Sequence, residues 1–262
     1  MSENSQFLTL NSQLFSLFLH IMKYVKNFKI GFHQTDLNFR LKPYEFFYMA
    51  QDIGTEHCDS QNCGQAQLLK HNLGWMLVKQ TVEFLKMPEN LQEVTMKTWH
   101  KGQSGPVFYR DFVVESASGE MLIRSASIWV TVDVMKRTLA RPDAIMTDCL
   151  ENDSVMEDRS LKIQIPAEAP VINEVHHTVE YSDVDCNRHA NNTSYLIWAF
   201  NAMPFEILAN NAVKRMEVSF VNEARPQTDV KIVVCQISDT EYGIKMTDNS
   251  NGKSLFVAKI SF

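Results

Sequence analysis

The sequence predicts an α+β protein in which one helix-and-sheet unit is used twice. Three observations carry that expectation. Long strand-like runs separated by turn signals dominate the chain. Two helical segments each follow an extended stretch. The same order of elements then returns after a charged, proline-bearing interval. With 262 residues, 45% of them hydrophobic, the chain has the apolar material for a real core, which excludes a disordered protein.

The body begins near Lys26 with an extended stretch, KNFKIGFHQTDLNF. Pro43 opens a helix, because Phe46, Phe47, Met49, Ala50 and Ile53 recur at helical spacing. Strands are expected over Gly74–Leu85, Glu93–Gly102, Val107–Ser116 and Met121–Asp133, with a hairpin turn at Ala117-Ser118-Gly119. Charged, proline-bearing sequence at 139–170 reads as a linker. The pattern then restarts. HHTVEYSDVDCNRH is expected to be extended and ANNTSYLIWAFNAMP helical, stopping at Pro204. Four further strands follow, with Asn251-Gly252 turning into the last. The organisation is therefore an extension at 1–25, units at 26–138 and 171–262, and the linker between them. Two such units can pair their sheets edge to edge, which hides exposed strand edges; this is the architecture of a tandem hotdog.

Charge and cysteine content narrow the function. Against 25 basic residues stand 31 acidic ones, a formal net charge of −6, which argues against a nucleic-acid binder. Five cysteines are too sparse for a disulfide scaffold, so a reducing, cytoplasmic setting is expected. Cys58 and Cys63 form a lone C-x4-C with no second ligand pair, so no metal is implied. The apolar run from Phe7 to Met22 follows an acidic residue, Glu3, and is broken by Asn11, Ser12, Gln13 and His20. It reads as a helix or extension and falls short of the ~18 apolar residues of a membrane span.

The densest polar constellation is Asp183, Asp185, Asn187, His189, Asn191 and Asn192. On an extended strand Asp185, Asn187 and His189 share one face, just before a helix N-terminus. An imidazole moves protons near neutral pH, an amide can hold a carbonyl oxygen or a water, and helix N–H groups favour an oxyanion. The same residues also serve as caps and turn formers, and spacing alone does not choose. The first unit carries Asp36, Asn38 and Arg40 in this register, and arginine cannot be a base, so one copy reads as active and the other as degenerate. Cys186 falls on the opposite strand face and reads as packed core. Glu223 is a further carboxylate, on a strand of the second unit. The tryptophans, Trp75, Trp99, Trp129 and Trp198, read as core. Neither a G-x-S-x-G elbow nor a zinc-peptidase or P-loop motif occurs, so no cofactor is implied.

From roughly Phe28 to Phe262 the chain resembles the acyl-ACP thioesterases. Asp185-Cys186-Asn187-Arg188-His189-Ala190-Asn191-Asn192, with Tyr195 and Trp198, looks like the family's D-x-N-x-H-x-N-N-x-x-Y-x-x-W motif. Thr98-Trp99, Arg110-Asp111-Phe112 and Ser127-Ile128-Trp129-Val130 resemble family signatures in matching order. The resemblance implies a double hotdog that hydrolyses fatty acyl thioesters of acyl carrier protein, with Asp185, Asn187, His189 and Glu223 catalytic. The family's Glu-Cys pair falls on Glu223-Ala224, so a cysteine nucleophile is not expected there. Either carboxylate could activate water, or Asp185 could attack the carbonyl itself. Trp198, Phe46, Phe47 and Met49 are candidates for the acyl channel. The absence of a plastid-type leader fits a bacterial member, and a homodimer stays open. The competing readings are an acyl-CoA thioesterase and a non-catalytic acyl-binding hotdog.

Overall fold

The computed structural model of the chain describes residues 23–140, 153–156 and 162–262. The expected N-terminal helix or extension therefore falls almost wholly outside the described residues, as do much of the expected linker and Cys149. At 153–156, within the expected linker, the chain is tied to the first unit. The Lys101 Nζ donates to Met156 O at 2.7 Å and Trp99 Nε1 donates to Asp153 O at 2.7 Å.

In the first part of the chain the strands are β1 (Tyr24–Lys29), β2 (Leu73–Phe84), β3 (Glu93–Ser104), β4 (Val107–Ser116), β5 (Met121–Asp133) and β6 (Thr138–Leu139). The second part holds β7 (Val171–Thr178), β8 (Arg215–Phe220), β9 (Asp229–Gln236), β10 (Glu241–Asp248) and β11 (Ser254–Ser261). Helices α1 (Pro43–Ser60) and α3 (Asn192–Ala202) start where the sequence places them. Two short helices, α2 (Gln65–Leu69) and α4 (Phe205–Asn210), were not expected. They are single turns of five and six residues, too short for a periodic signal to register.

The strands form one antiparallel sheet in the order β1-β3-β4-β5-β2-β8-β11-β10-β9-β7, with β6 on β5. Its centre is the β2–β8 ladder, from Lys79↔Ser219 to Glu83↔Arg215. Each of these would otherwise be an exposed edge, and their pairing removes both. Glu217 pins the joint. Its carboxylate lies 3.7 Å from the buried Lys79 Nζ and 3.7 Å from Lys259 Nζ. A one-residue slip would part Glu217 from the buried Lys79, so register is specified.

Both long helices turn an apolar face to the sheet. On α1, Phe46, Phe47, Met49, Ala50 and Ile53 are buried, and the Phe46 ring meets Phe84 and Phe112 edge-on at 6.2 and 6.4 Å. On α3, Tyr195, Leu196, Trp198, Ala199 and Phe200 enter the same core. The hairpin turns hold as read, with Gly119 and Gly252 at φ +82° and +71°, which a side chain would strain. Among the described residues no helix is long and apolar enough to cross a membrane.

Asn191 caps α3, its side chain accepting from Thr193 N at 2.9 Å. Asn191→Ala should therefore cost about 1 kcal/mol of stability, read as a shift in the urea midpoint at unchanged slope.

Candidate active site

The Asp185–His189 stretch is a tight turn and not the extended strand that the sequence pattern suggests. A short 3-10 turn at Tyr181–Asp183 precedes it, and Val184 and Ala190 bridge its base. Asp185 N donates to His189 O at 3.1 Å, Arg188 N to Asp185 O at 3.0 Å, and Arg188 sits at φ +65°. Asp185 organises the loop: its Oδ1 accepts from Asn187 N at 2.8 Å and its Oδ2 from Asn187 Nδ2 at 3.2 Å. An aspartate bonding the amide two residues on competes with strand pairing, which is why alternation gave the wrong local structure. The three side chains are gathered by the turn and not by a shared strand face.

Cys186 is corrected with it. On a turn there is no far face to pack against, and its thiol is exposed. Glu223 is also moved: it stands in the loop after β8, with its side chain 36% exposed. Trp99 and Trp198 are core, whereas Trp75 and Trp129 are only partly buried.

Glu223 comes to the turn from the opposite side. Its Oε1 lies 3.9 Å from His189 Nε2, beyond direct hydrogen bonding and within reach of one shared water. Its Oε2 is paired with the Arg137 guanidinium, which arrives from the turn between β5 and β6. His189 Nδ1 faces Ala190 O at 3.2 Å. A carbonyl can only accept, so this contact places the proton on Nδ1 and leaves the Nε2 lone pair toward Glu223. Tyr195 fixes the Glu223 loop, accepting from Ala224 N at 2.7 Å and donating to Asn222 O at 3.4 Å. Burial pushes the Tyr195 hydroxyl up to about 12, so it stays neutral beside the two carboxylates.

The first unit completes the site. Gln65 Nε2, at the start of α2, donates to Asn187 Oδ1 at 2.8 Å. Asn187 is thus held at both ends of its amide. Gln65 and Arg137 carry no signal in the sequence, because nothing local marks a residue that reaches across from the other unit. Asp183, grouped with the site by proximity in sequence, turns inward instead. Its Oδ1 accepts from Trp198 Nε1 at 3.0 Å and its Oδ2 faces His177 Nε2 at 2.8 Å. Thr193 N, one of the helix N–H groups expected to face an oxyanion, is taken by the Asn191 cap. Phe46, Phe47, Met49 and Trp198 lie in the apolar core behind the turn.

The first unit repeats the turn without a histidine. Thr35 and Leu41 bridge its base, Asp36 Oδ1 accepts from Asn38 N at 2.8 Å, and Phe39 takes the left-handed position at φ +60°. Where the second unit has His189, Arg40 Nε donates to Asp36 Oδ2 at 3.0 Å, neutralising the carboxylate. Asn38 Nδ2 donates to Ala209 O of α4 at 2.8 Å, the counterpart of the Gln65 contact.

Two helix-on-sheet units joined through one ladder, with a single Asp-Asn-His turn facing a carboxylate, define a double-hotdog protein. Residues 22–151 match the acyl-ACP thioesterase N-terminal domain and residues 167–262 match the C-terminal domain. The chain belongs to the acyl-ACP thioesterase family. It is 26% identical over 191 residues to a chloroplastic acyl-[acyl-carrier-protein] hydrolase of Cuphea viscosissima, covering 67% of this chain and 45% of that protein. To a chloroplastic palmitoyl-acyl carrier protein thioesterase of Gossypium hirsutum it is 24% identical, covering 75% of this chain and 51% of that protein. The chain spans about half the length of these plant relatives. Its fold is that of an acyl-ACP thioesterase from Bacteroides thetaiotaomicron, with TM-score 0.80 at 21% identity, covering 93% of this chain and 98% of that one.

Proposed function

We propose that the protein hydrolyses fatty acyl thioesters of acyl carrier protein, releasing free fatty acid and the carrier thiol. The observation that carries this reading is the opposition of Glu223 Oε1 and His189 Nε2 across 3.9 Å, beside an amide clamped by Asp185 and Gln65.

In this reading Glu223 and His189 share the attacking water. As its oxygen adds to the thioester carbon, one proton passes to this pair and the carbonyl oxygen becomes an oxyanion. Asn187 donates its remaining amide N–H to that oxygen. The C–S bond then breaks, and His189 delivers the proton to the departing sulfur. Asp185 holds Asn187 in place and adds negative charge to the turn that the imidazolium form of His189 transiently occupies. Phe46, Phe47, Met49 and Trp198 belong to the apolar interior that receives the acyl tail. The four cysteines free among the described residues fit a cytoplasmic setting.

The competing readings differ in carrier or in chemistry. A non-catalytic acyl binder has no use for a carboxylate opposite an imidazole at the site mouth. The deciding experiment presents a panel of acyl-ACPs of increasing chain length beside the matching acyl-CoAs. Fatty acid release from acyl-ACP at a kcat/KM well above that from acyl-CoA supports the proposal. Preference for the CoA series, or binding of both without turnover, contradicts it.

Gln65 supplies a smaller test. Its contact with Asn187 lies at the surface, so its net value is about 1 kcal/mol. Gln65→Ala should lower kcat several-fold, to about tenfold at most, with the melting temperature unchanged.

A further inference from the structure

A second cluster of polar and titratable groups lies at the C-terminal end of α1, in the first unit. The Arg110 guanidinium of β4 is buried there without a carboxylate partner among the described residues. Its neighbour Asp111 is engaged elsewhere, by Lys101 at 2.9 Å. Arg110 Nη1 is 2.8 Å from His57 Nδ1 and donates to Thr98 Oγ1 at 3.1 Å. Its Nη2 is 2.8 Å from His100 Nε2 and 3.4 Å from Cys58 Sγ. Both imidazoles must accept from the guanidinium and are therefore neutral. A buried guanidinium needs a negative charge, and among the described residues the Cys58 and Cys63 thiols are the neighbours able to supply it.

The backbone brings a second thiol to the first. Helix α1 closes with Asn62 N donating to Asp59 O at 3.1 Å and Cys63 N donating to Cys58 O at 2.9 Å, with Asn62 left-handed at φ +56°. This closure sets the side chains of its third-last helical residue and of the residue beyond the left-handed one against each other. In most helices that contact is between apolar groups; here it joins Cys58 to Cys63. The closeness of the Cys63 thiol is the largest cause lowering the Cys58 pKa. Cys63 is buried, while Cys58 is partly exposed. A helix C-terminus by itself disfavours an anion. The Cys63 thiol, and after it the Arg110 charge, outweigh both this and burial and lower Cys58 to about 6.

We propose that Cys58 and Cys63 are a redox-active dithiol, with Arg110 as counter-ion, Cys58 the nucleophile toward peroxides and Cys63 the resolving thiol. The Cys58 thiolate attacks the peroxide oxygen, the O–O bond breaks, and sulfenic acid and hydroxide (or alkoxide) result. The Cys63 thiol then attacks the Cys58 sulfur, a disulfide forms, and water leaves. The thiols are oxidised by two electrons and the peroxide is reduced. Cys63 lies two residues before Gln65, so the turn that carries the dithiol also leads into the side chain that holds Asn187. That link rests on the proposed hydrolysis; the dithiol chemistry does not.

The test uses the whole chain, treated with limiting hydrogen peroxide at pH 6.5, then alkylated and mapped by mass spectrometry. The charged and titratable groups around Cys58 are Arg110, His57, His100, Asp59 and Cys63, and both histidines are neutral at this pH. A Cys58–Cys63 disulfide, reversed by dithiothreitol and formed about tenfold faster than any oxidation of the exposed Cys186, is the expected result. In Cys63→Ser, dimedone should trap a sulfenic acid on Cys58. Oxidation of Cys186 ahead of Cys58, or stepwise over-oxidation of Cys58 with Cys63 left free, would overturn the proposal. Fatty acid release that falls with the disulfide and returns with dithiothreitol supports the link to Gln65. A disulfide with unchanged turnover would remove that link and leave the dithiol standing.

Discussion

Asp185→Asn and Glu223→Gln should each reduce fatty acid release from acyl-ACP by ~10²–10⁴-fold while leaving the fold intact. Each substitution is isosteric, so the loss reads out charge and hydrogen-bond direction. At position 223 the amide can no longer take a proton from the water that it would share with His189 Nε2 across 3.9 Å. At position 185 the new amide places a donor opposite Asn187 Nδ2, now 3.2 Å from an acceptor. Asn187 must then rotate, and its donor to the carbonyl oxygen is lost, an effect worth ~10²–10³ in kcat. Steady-state assays with thermal melts of both variants check this. A full-rate Glu223→Gln would remove that carboxylate from the mechanism. Cys186→Ser, on the exposed limb of the same turn, should stay within a few-fold.

Acid should destabilise the first unit well before its exposed carboxylates titrate. His57 is pulled down to about 3, first by burial and then by the Arg110 charge. His100 lies well below its ordinary value for the same two reasons, with His57 adding a smaller effect. Both are neutral in the native state, whereas in the unfolded chain each binds a proton below about pH 6.5. Between that value and the native pKa the unfolded state holds more protons, so stability falls as pH falls. At pH 5 the cost from His57 is about 2 kcal/mol, and His100 adds to it in the same direction. Cys58 acts in the same direction: its native pKa is depressed to about 6, first by the Cys63 thiol. The stability it contributes is present above the unfolded thiol's value and is lost as pH falls through about 6. Urea unfolding at pH 7.5 and at pH 5 measures the difference. An unchanged midpoint would mean that the histidines are charged in the native protein.

Much of this molecule is readable from its residues, for identifiable reasons. The strands Val107–Ser116 and Met121–Asp133 and the start of α1 at Pro43 match their expected positions. Long apolar alternation, proline at the first helical position and glycine at positive φ are local causes with local effects. The equivalence of Asp36 and Asp185 was also legible, and the two turns share their Asx bond and their left-handed fourth residue. What misled was alternation carried past its domain. Asp185-Cys186-Asn187 alternates like a strand, but an aspartate followed two residues later by a bonded amide folds as a turn, which exposes Cys186. Gln65, Arg137 and the Asn222–Ala224 clamp of Tyr195 were not legible, because each joins positions between 27 and 122 residues apart. The contact that pairs Cys58 with Cys63 had a signal in the C-x4-C spacing over a helix end. As a metal site the pair is made unfavourable by the buried Arg110.

We propose that one of two equivalent turns is active because it carries histidine where the other carries arginine. The direct test measures kcat/KM for acyl-ACP in His189→Ala and in Arg40→Ala, side by side, on folded protein. Loss of ~10²–10⁴-fold in His189→Ala, with Arg40→Ala within a few-fold of the parent, is the predicted result. Comparable losses in both variants, or a His189→Ala protein that still turns over at the parental rate, would contradict it.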